Sequence, residues 1–144
     1  MRESKKELLF FCLGFILAFI YWRTKVLLYY QRGGVSFLRE ITGLSIHHYH
    51  FGVLILTIFL LLYLFYRRNN LFIGLIGFGL GSILDSFVSR LFSSGTRVQE
   101  IINYQMNFYN TLLIFGIVIV LSVIFYLMKD LKSFGINYRD GRKN

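Results

Sequence analysis

Residues 77–87 read Gly-Phe-Gly-Leu-Gly-Ser-Ile-Leu-Asp-Ser-Phe and lie inside an apolar run that extends from Leu71 to about Phe92. Small or polar residues recur every four positions in this run, which places them on one face of a helix: Gly77, Gly81, Asp85 and Ser89. Small residues at this spacing form a flat face that another helix can approach closely. The stretch therefore predicts a closely packed helix with one acidic side chain on its packed face.

Three more apolar runs accompany this one in the chain. Only 16% of the 144 residues are charged, and they cluster between the runs, which is typical of a membrane protein. A helix needs roughly 20 residues to cross the hydrocarbon core of a bilayer. The predicted spans are residues 8–28, 48–66, 71–92 and 107–128. We therefore predict an all-α integral membrane fold, a bundle of four transmembrane helices in one domain covering residues 1–144.

Two segments outside the spans also carry predictions. In the first external loop, Val35, Leu38 and Ile41 recur at near-helical spacing, which predicts a short interfacial helix. The basic segment of residues 129–144 is predicted to be a cytoplasmic tail. The lone Cys12 excludes a disulfide within the chain and a cysteine-based metal site.

The basic residues lie at the ends of the apolar runs. The formal charge of +9 therefore indicates contact with membrane lipids, and no nucleic acid is expected as a partner. With four crossings, both termini and the second connection share a side of the membrane, and this side holds ten of the 16 basic residues. The positive-inside rule then predicts a multi-pass protein with both termini in the cytoplasm. Arg23 and Lys25, near the end of the first span, are expected to extend toward the interface.

Asp85 is a lone acid inside the third apolar run. An ionisable side chain at mid-membrane costs at least about 2.5 kcal/mol and is normally paired or functional. Its helix face, shared with Gly77 and Gly81, also suits a second copy of the chain or a partner in a membrane complex.

All three histidines lie at the start of the second span, in His47-His48-Tyr49-His50. At 100° per residue, His47 and His50 lie about 60° apart, whereas His48 points about 160° away from His50. We therefore expect His47 and His50 to converge, and His48 to make a secondary contact. Helix rise places His50 and Asp85 in the same, outer half of the membrane, so that the two side chains can meet.

Neutral imidazoles and a carboxylate are typical ligands of Zn²⁺ or another divalent transition metal. The sequence predicts a metal site with His47, His50 and Asp85 as ligands and His48 beside them. Asp85 is expected to act either as a ligand or as the group that orients a histidine, and Glu100 as a fourth ligand or general base. A metal-activated water would make the protein a hydrolase that acts on a lipid or a membrane-embedded substrate, with Asp85 and Glu100 catalytic.

Several alternatives stay open. The histidines and Asp85 also fit a protonatable site without metal, and the histidines also fit a structural or interfacial role. At the level of function, the alternatives are a proton- or cation-conducting protein that uses Asp85 and the histidines, and a non-catalytic subunit or assembly factor of a membrane complex.

Overall fold

The computed structural model describes residues 3–31, 48–66, 69–91, 102, 104 and 106–140, and the regular structure within them is helical. The helices are α1 (Glu3–Gln31), α2 (His48–Phe65), α3 (Asn70–Leu91) and α4 (Phe108–Asp140). Each contains a segment of 18 to 25 residues that is long and apolar enough to cross a membrane. The predicted bundle of four transmembrane helices is confirmed.

α1 and α4 extend beyond the predicted spans. α1 begins at Glu3, before the predicted start at residue 8, and continues past residue 28 to Gln31. α4 continues past the apolar segment that ends at Met128 and reaches Asp140 inside the basic tail. The predicted interfacial helix of the first loop lies outside the described residues.

α3 is the central helix, because glycines allow α1 and α2 to approach its backbone on two faces. A Cβ atom added to Gly14 of α1 would overlap the carbonyl oxygen of Gly74 in α3. On the other face, a Cβ atom added to Gly52 of α2 would lie 2.7 Å from the carbonyl oxygen of Gly79. Distances this short exclude any side chain, so both contacts require glycine.

α4 packs through aromatic rings instead. The ring of Phe115 lies 4.4 Å from the ring of Phe15 and 5.1 Å from that of Phe19, measured between centroids. These three buried rings form the apolar core between α1 and α4. On its other side α4 exposes large apolar side chains such as Leu113 and Val120. An apolar exposed face of this kind suits a lipid environment.

α1 and α4 run in opposite directions. Ser4 at the start of α1 lies beside Tyr126 of α4, whereas Arg23 lies beside Thr111 at the start of α4. We call the end that carries Ser4 the N-terminal end of the bundle and the opposite end the far end. The candidate site lies at the far end.

Candidate functional site

Asp85 is fully buried on α3 and forms an ion pair with Arg23 of α1. The Arg23 Nε atom donates a hydrogen bond of 3.0 Å to Asp85 Oδ1, and Nη2 lies 3.0 Å from the same oxygen. An uncompensated buried charge costs several kcal/mol, so the two residues neutralise each other at a place that neither could occupy alone. Our expectation that Arg23 extends to the interface was therefore wrong, since its side chain turns inward to the buried carboxylate.

Arg23 also connects α1 to the start of α4. Its Nη2 atom donates a hydrogen bond of 2.7 Å to Thr111 Oγ1, and Nη1 donates to the backbone carbonyl oxygen of Tyr104. The guanidinium carbon lies 3.9 Å from the centre of the Tyr104 ring, a cation–π contact. All three nitrogen atoms of the guanidinium thus have acceptors inside the protein, and Arg23 acts as a fixed counter-ion for Asp85.

Tyr104 donates a hydrogen bond from its hydroxyl group to Asp85 Oδ2. Burial raises the pKa of Tyr104 above its ordinary value, and the negative charge of Asp85 adds to this effect. The phenol therefore keeps its proton and remains a donor to the carboxylate. Nothing in the sequence pattern singled out Tyr104 as a partner of Asp85, so its role in the site was missed.

His48 is the histidine that meets Asp85 among the described residues. Its Nε2 atom lies 3.2 Å from Asp85 Oδ2. This is an ion-pair distance, but Nε2 is buried and makes no directed hydrogen bond within the described part of the chain. The His48 side chain is 14% exposed, and because Nε2 is buried this exposure belongs to the rest of the side chain.

Aromatic neighbours hold the His48 ring in place. It stacks on Trp22 of α1, with ring centroids 4.9 Å apart and planes inclined by 27°. The ring of Tyr104 contacts it edge-on at 5.8 Å. Trp22 is itself anchored by a hydrogen bond of 2.8 Å from Nε1 to Ser82 Oγ on α3. The ring therefore has defined neighbours on two sides as well as at Nε2.

The helical-phase prediction had set His48 apart and directed His50 toward Asp85, and this orientation was wrong. His50 is exposed, and its ring stacks on Tyr49 with centroids 3.8 Å apart. The glycine contact explains the difference. Gly52 packs against α3, and the residue four positions before it, His48, lies on the same face of α2. His47 and Glu100 lie outside the described residues, and their roles stay predictions.

The described residues do not complete the predicted zinc site. No group of three His, Cys, Asp or Glu side chains among them could hold a metal ion. Asp85 accepts from Arg23 and Tyr104, and a divalent cation on this carboxylate would lie beside the guanidinium charge and be repelled by it. Asp85 fits better as the group that orients a histidine. The zinc site itself stays a prediction.

The face of α3 that we predicted for a partner is covered by α1 of the same chain. A Cβ atom added to Gly81 would lie 2.8 Å from the backbone carbonyl oxygen of Phe15, and one added to Gly77 would overlap that of Phe11. Asp85, on the same face, meets Arg23 of α1. A second copy or a partner subunit, which stays a prediction, would need another surface.

Comparison of the chain with protein-family models, with curated proteins and with solved structures found no match.

Proposed function

We propose that this protein is a multi-pass membrane protein in which His48 acts as a general acid–base group oriented by Asp85, and that it is a hydrolase acting on a lipid or a membrane-embedded substrate. The observation that carries the proposal is the 3.2 Å distance between His48 Nε2 and Asp85 Oδ2. A histidine base held by a carboxylate, with its other ring nitrogen left for a substrate, is a recurring arrangement in hydrolytic sites.

The composition of the network supports a role beyond charge neutralisation. Arg23 and Asp85 alone would balance each other, and no histidine is needed for that. Yet the second carboxylate oxygen faces both His48 and Tyr104. His48 is the most exposed of the four charged or titratable members of the network. Its side chain is 14% exposed, compared with 8% for Arg23 and 0% for Asp85, and Tyr104 is 6% exposed as a whole residue. It is the member best placed to exchange a proton with a substrate.

The depth of the site suits a lipid substrate. Arg23 lies five residues before the end of its span at Leu28, and Asp85 lies three residues before the end of its span at Val88. At 1.5 Å per residue, both are roughly 5–8 Å inside the boundary of the apolar segments. This is the region where headgroups are joined to acyl chains. With both termini in the cytoplasm, as the basic residues predict, the site would face the outer leaflet.

A zinc-dependent version of this hydrolase is the second candidate, and the same contact favours it. Histidines that bind a metal commonly donate their other ring N–H to a carboxylate, which fixes the ring orientation. In this version Asp85 would orient His48, and His48 would be one of the residues that hold zinc, together with His47 and Glu100, whose roles stay predictions. Zinc would supply an activated water.

Ion conduction is less well supported. A carboxylate that carries protons must release and rebind them, whereas Arg23 contacts Asp85 Oδ1 through two nitrogen atoms at 3.0 Å. The guanidinium held at this distance makes Arg23 a fixed partner of the carboxylate within the apolar segment. Asp85 is therefore better suited to a fixed electrostatic role than to a proton cycle.

The test compares His48→Gln with the neighbouring His50→Gln in protein reconstituted into vesicles containing a panel of phospholipids. We expect the wild-type protein to hydrolyse at least one lipid, His48→Gln to lower the rate about 10²-fold or more, and His50→Gln to leave it nearly unchanged. Stoichiometric zinc that is lost in His48→Gln would select the zinc-dependent version. Equal activity in the two variants would refute the assignment of His48.

The orienting role of Asp85 has a test that needs no substrate. In ¹⁵N spectra of the histidine rings, we expect the neutral His48 imidazole to carry its proton on Nε2, facing the carboxylate. Asp85→Asn should remove this preference while leaving the His50 signals unchanged. Identical His48 signals in wild type and Asp85→Asn would contradict the proposed pair.

A further inference from the structure

A second cluster of polar side chains, apart from the one around Asp85, lies at the N-terminal end of the bundle. It lines one side of a cavity of about 440 Å³. Residues from all four helices line the cavity. Ser4, on its wall, lies about 28 Å along α1 from Arg23, at 1.5 Å per residue. The cavity is therefore separate from the site at Asp85 and shares no residue with it.

The lining divides into an apolar part and a polar part. The apolar part includes Leu60 of α2 together with Ile73 and Ile76 of α3. The polar part includes Glu7, half-buried on α1, and the pair Ser4 and Tyr126, whose hydroxyl oxygens lie 3.4 Å apart. Ser4 is also the first residue of the apolar segment of α1. The polar groups thus mark the boundary of the membrane, and the apolar walls lie in its interior.

We propose that this cavity binds one acyl chain of a bilayer phospholipid whose headgroup carries an ammonium group, with the ammonium paired to Glu7. The volume lies within the range of about 300–1,000 Å³ that is usual for ligand pockets. Leu60 is 42% exposed, so the cavity is open toward the surrounding lipid. Apolar walls favour a hydrocarbon chain over water.

The charge of the lining selects the headgroup. Among the described residues that line the cavity, Glu7 is the one charged side chain. A carboxylate at the membrane boundary attracts an ammonium group and repels a headgroup whose net charge is negative, and partial removal from water strengthens both effects. Phosphatidylethanolamine has the required chemistry, whereas phosphatidylglycerol with the same chains lacks the ammonium group.

Native mass spectrometry of the detergent-purified full chain, mixed with equal amounts of these two lipids with identical acyl chains, tests the proposal. We expect the wild-type protein to bind phosphatidylethanolamine about tenfold more than phosphatidylglycerol, a ratio that corresponds to about 1.4 kcal/mol. Glu7→Gln should bring the two lipids close to equality. Lys6→Gln, a change of charge at the adjacent exposed residue, should leave the ratio unchanged.

A second pair of variants tests the cavity itself. Ile76→Trp fills part of the volume and should lower the binding of both lipids at least fivefold, since the acyl chain loses its place. Leu54→Trp adds the same ring to an exposed position of α2 and should bind lipids as the wild type does. Equal binding of the two lipids to the wild type, an unchanged ratio in Glu7→Gln, or equal binding by the two tryptophan variants would overturn the proposal. None of these outcomes bears on His48.

Discussion

At the scale of single residues, the stability of the site depends on charge balance between Arg23 and Asp85. Both side chains are buried, at 8% and 0% exposed, so removing one leaves the other uncompensated. We expect Arg23→Gln to lower the free energy of unfolding by about 3–5 kcal/mol. The double variant that combines Arg23→Gln with Asp85→Asn should recover a large part of this loss in stability, because it removes both buried charges. Unfolding by sodium dodecyl sulfate in mixed micelles measures the difference.

Lys25 provides the matched control for Arg23, since it lies on the same helix two residues later. Its Nζ atom contacts the Trp22 ring at 4.9 Å and forms no ion pair within the described residues. Lys25→Gln should therefore change the free energy of unfolding by about 1 kcal/mol or less. If Arg23→Gln and Lys25→Gln lower the free energy of unfolding equally, the buried ion pair does not contribute to stability in the way proposed.

Tyr104 makes the free energy of unfolding depend on pH in the alkaline range. Its pKa is raised in the folded protein, mainly by burial, above the value of 10.0 for an ordinary tyrosine. Above pH 10 the unfolded chain releases this proton and the folded protein keeps it, so stability falls as the pH rises. We expect the free energy of unfolding of the wild type to fall about 1.4 kcal/mol per pH unit more steeply than that of Tyr104→Phe. Parallel curves between pH 10 and 11.5 would contradict the raised pKa.

The sequence could identify Asp85 but not most of its partners. A lone acid in an apolar run must be paired or functional, and this needs no knowledge of the fold. Arg23 lies 62 positions away in the chain, and an arginine near the end of a span is normally expected to extend to the interface. The pairing of α1 with α3 was needed to identify it. The sequence did contain a clue to His48. Gly52 lies on the same face of α2 as His48, and this is the face that meets α3.

At the scale of helices, two glycines with different surroundings test how α1 and α3 pack. A Cβ atom at Gly14 would overlap the carbonyl oxygen of Gly74, whereas one at Gly116 of α4 has nothing within 4 Å. Gly14→Ala must separate the helices, and we expect a loss of about 1–3 kcal/mol in the free energy of unfolding. Gly116→Ala should be neutral or stabilise the helix by up to about 1 kcal/mol. Similar effects of the two variants would show that α1 does not pack this closely.

Helix positions were the most predictable feature because apolar runs and their charged ends define them directly. The predicted second and third spans agree with α2 and α3 to within one residue. Contacts between helices were less predictable. The spacing of Gly77 and Gly81 indicated a close helix contact but could not show that α1, rather than a second chain, makes it. The same pattern suits contacts within and between chains, so spacing alone does not separate them.

At the scale of the whole molecule, the distribution of basic residues predicts the orientation in the membrane. The side that carries both termini holds ten basic residues and the other side holds six. Changing Lys5, Lys6, Arg67 and Arg68 to glutamine leaves six on each side, so the positive-inside rule no longer favours either orientation. We expect a C-terminal green fluorescent protein fusion to be fluorescent in the wild type and to lose roughly half of its fluorescence in this variant.

The control removes the same number of charges from the opposite side. Changing Arg32, Arg39, Arg90 and Arg97 to glutamine leaves ten basic residues against two, so the bias grows and the fluorescence should stay at the wild-type level. A C-terminal alkaline phosphatase fusion should respond in the opposite way, with activity only in the first variant. If the wild type gives phosphatase activity and no fluorescence, both termini face outward. The His48–Asp85 pair would then lie in the inner leaflet, and the lipid substrate should be sought there.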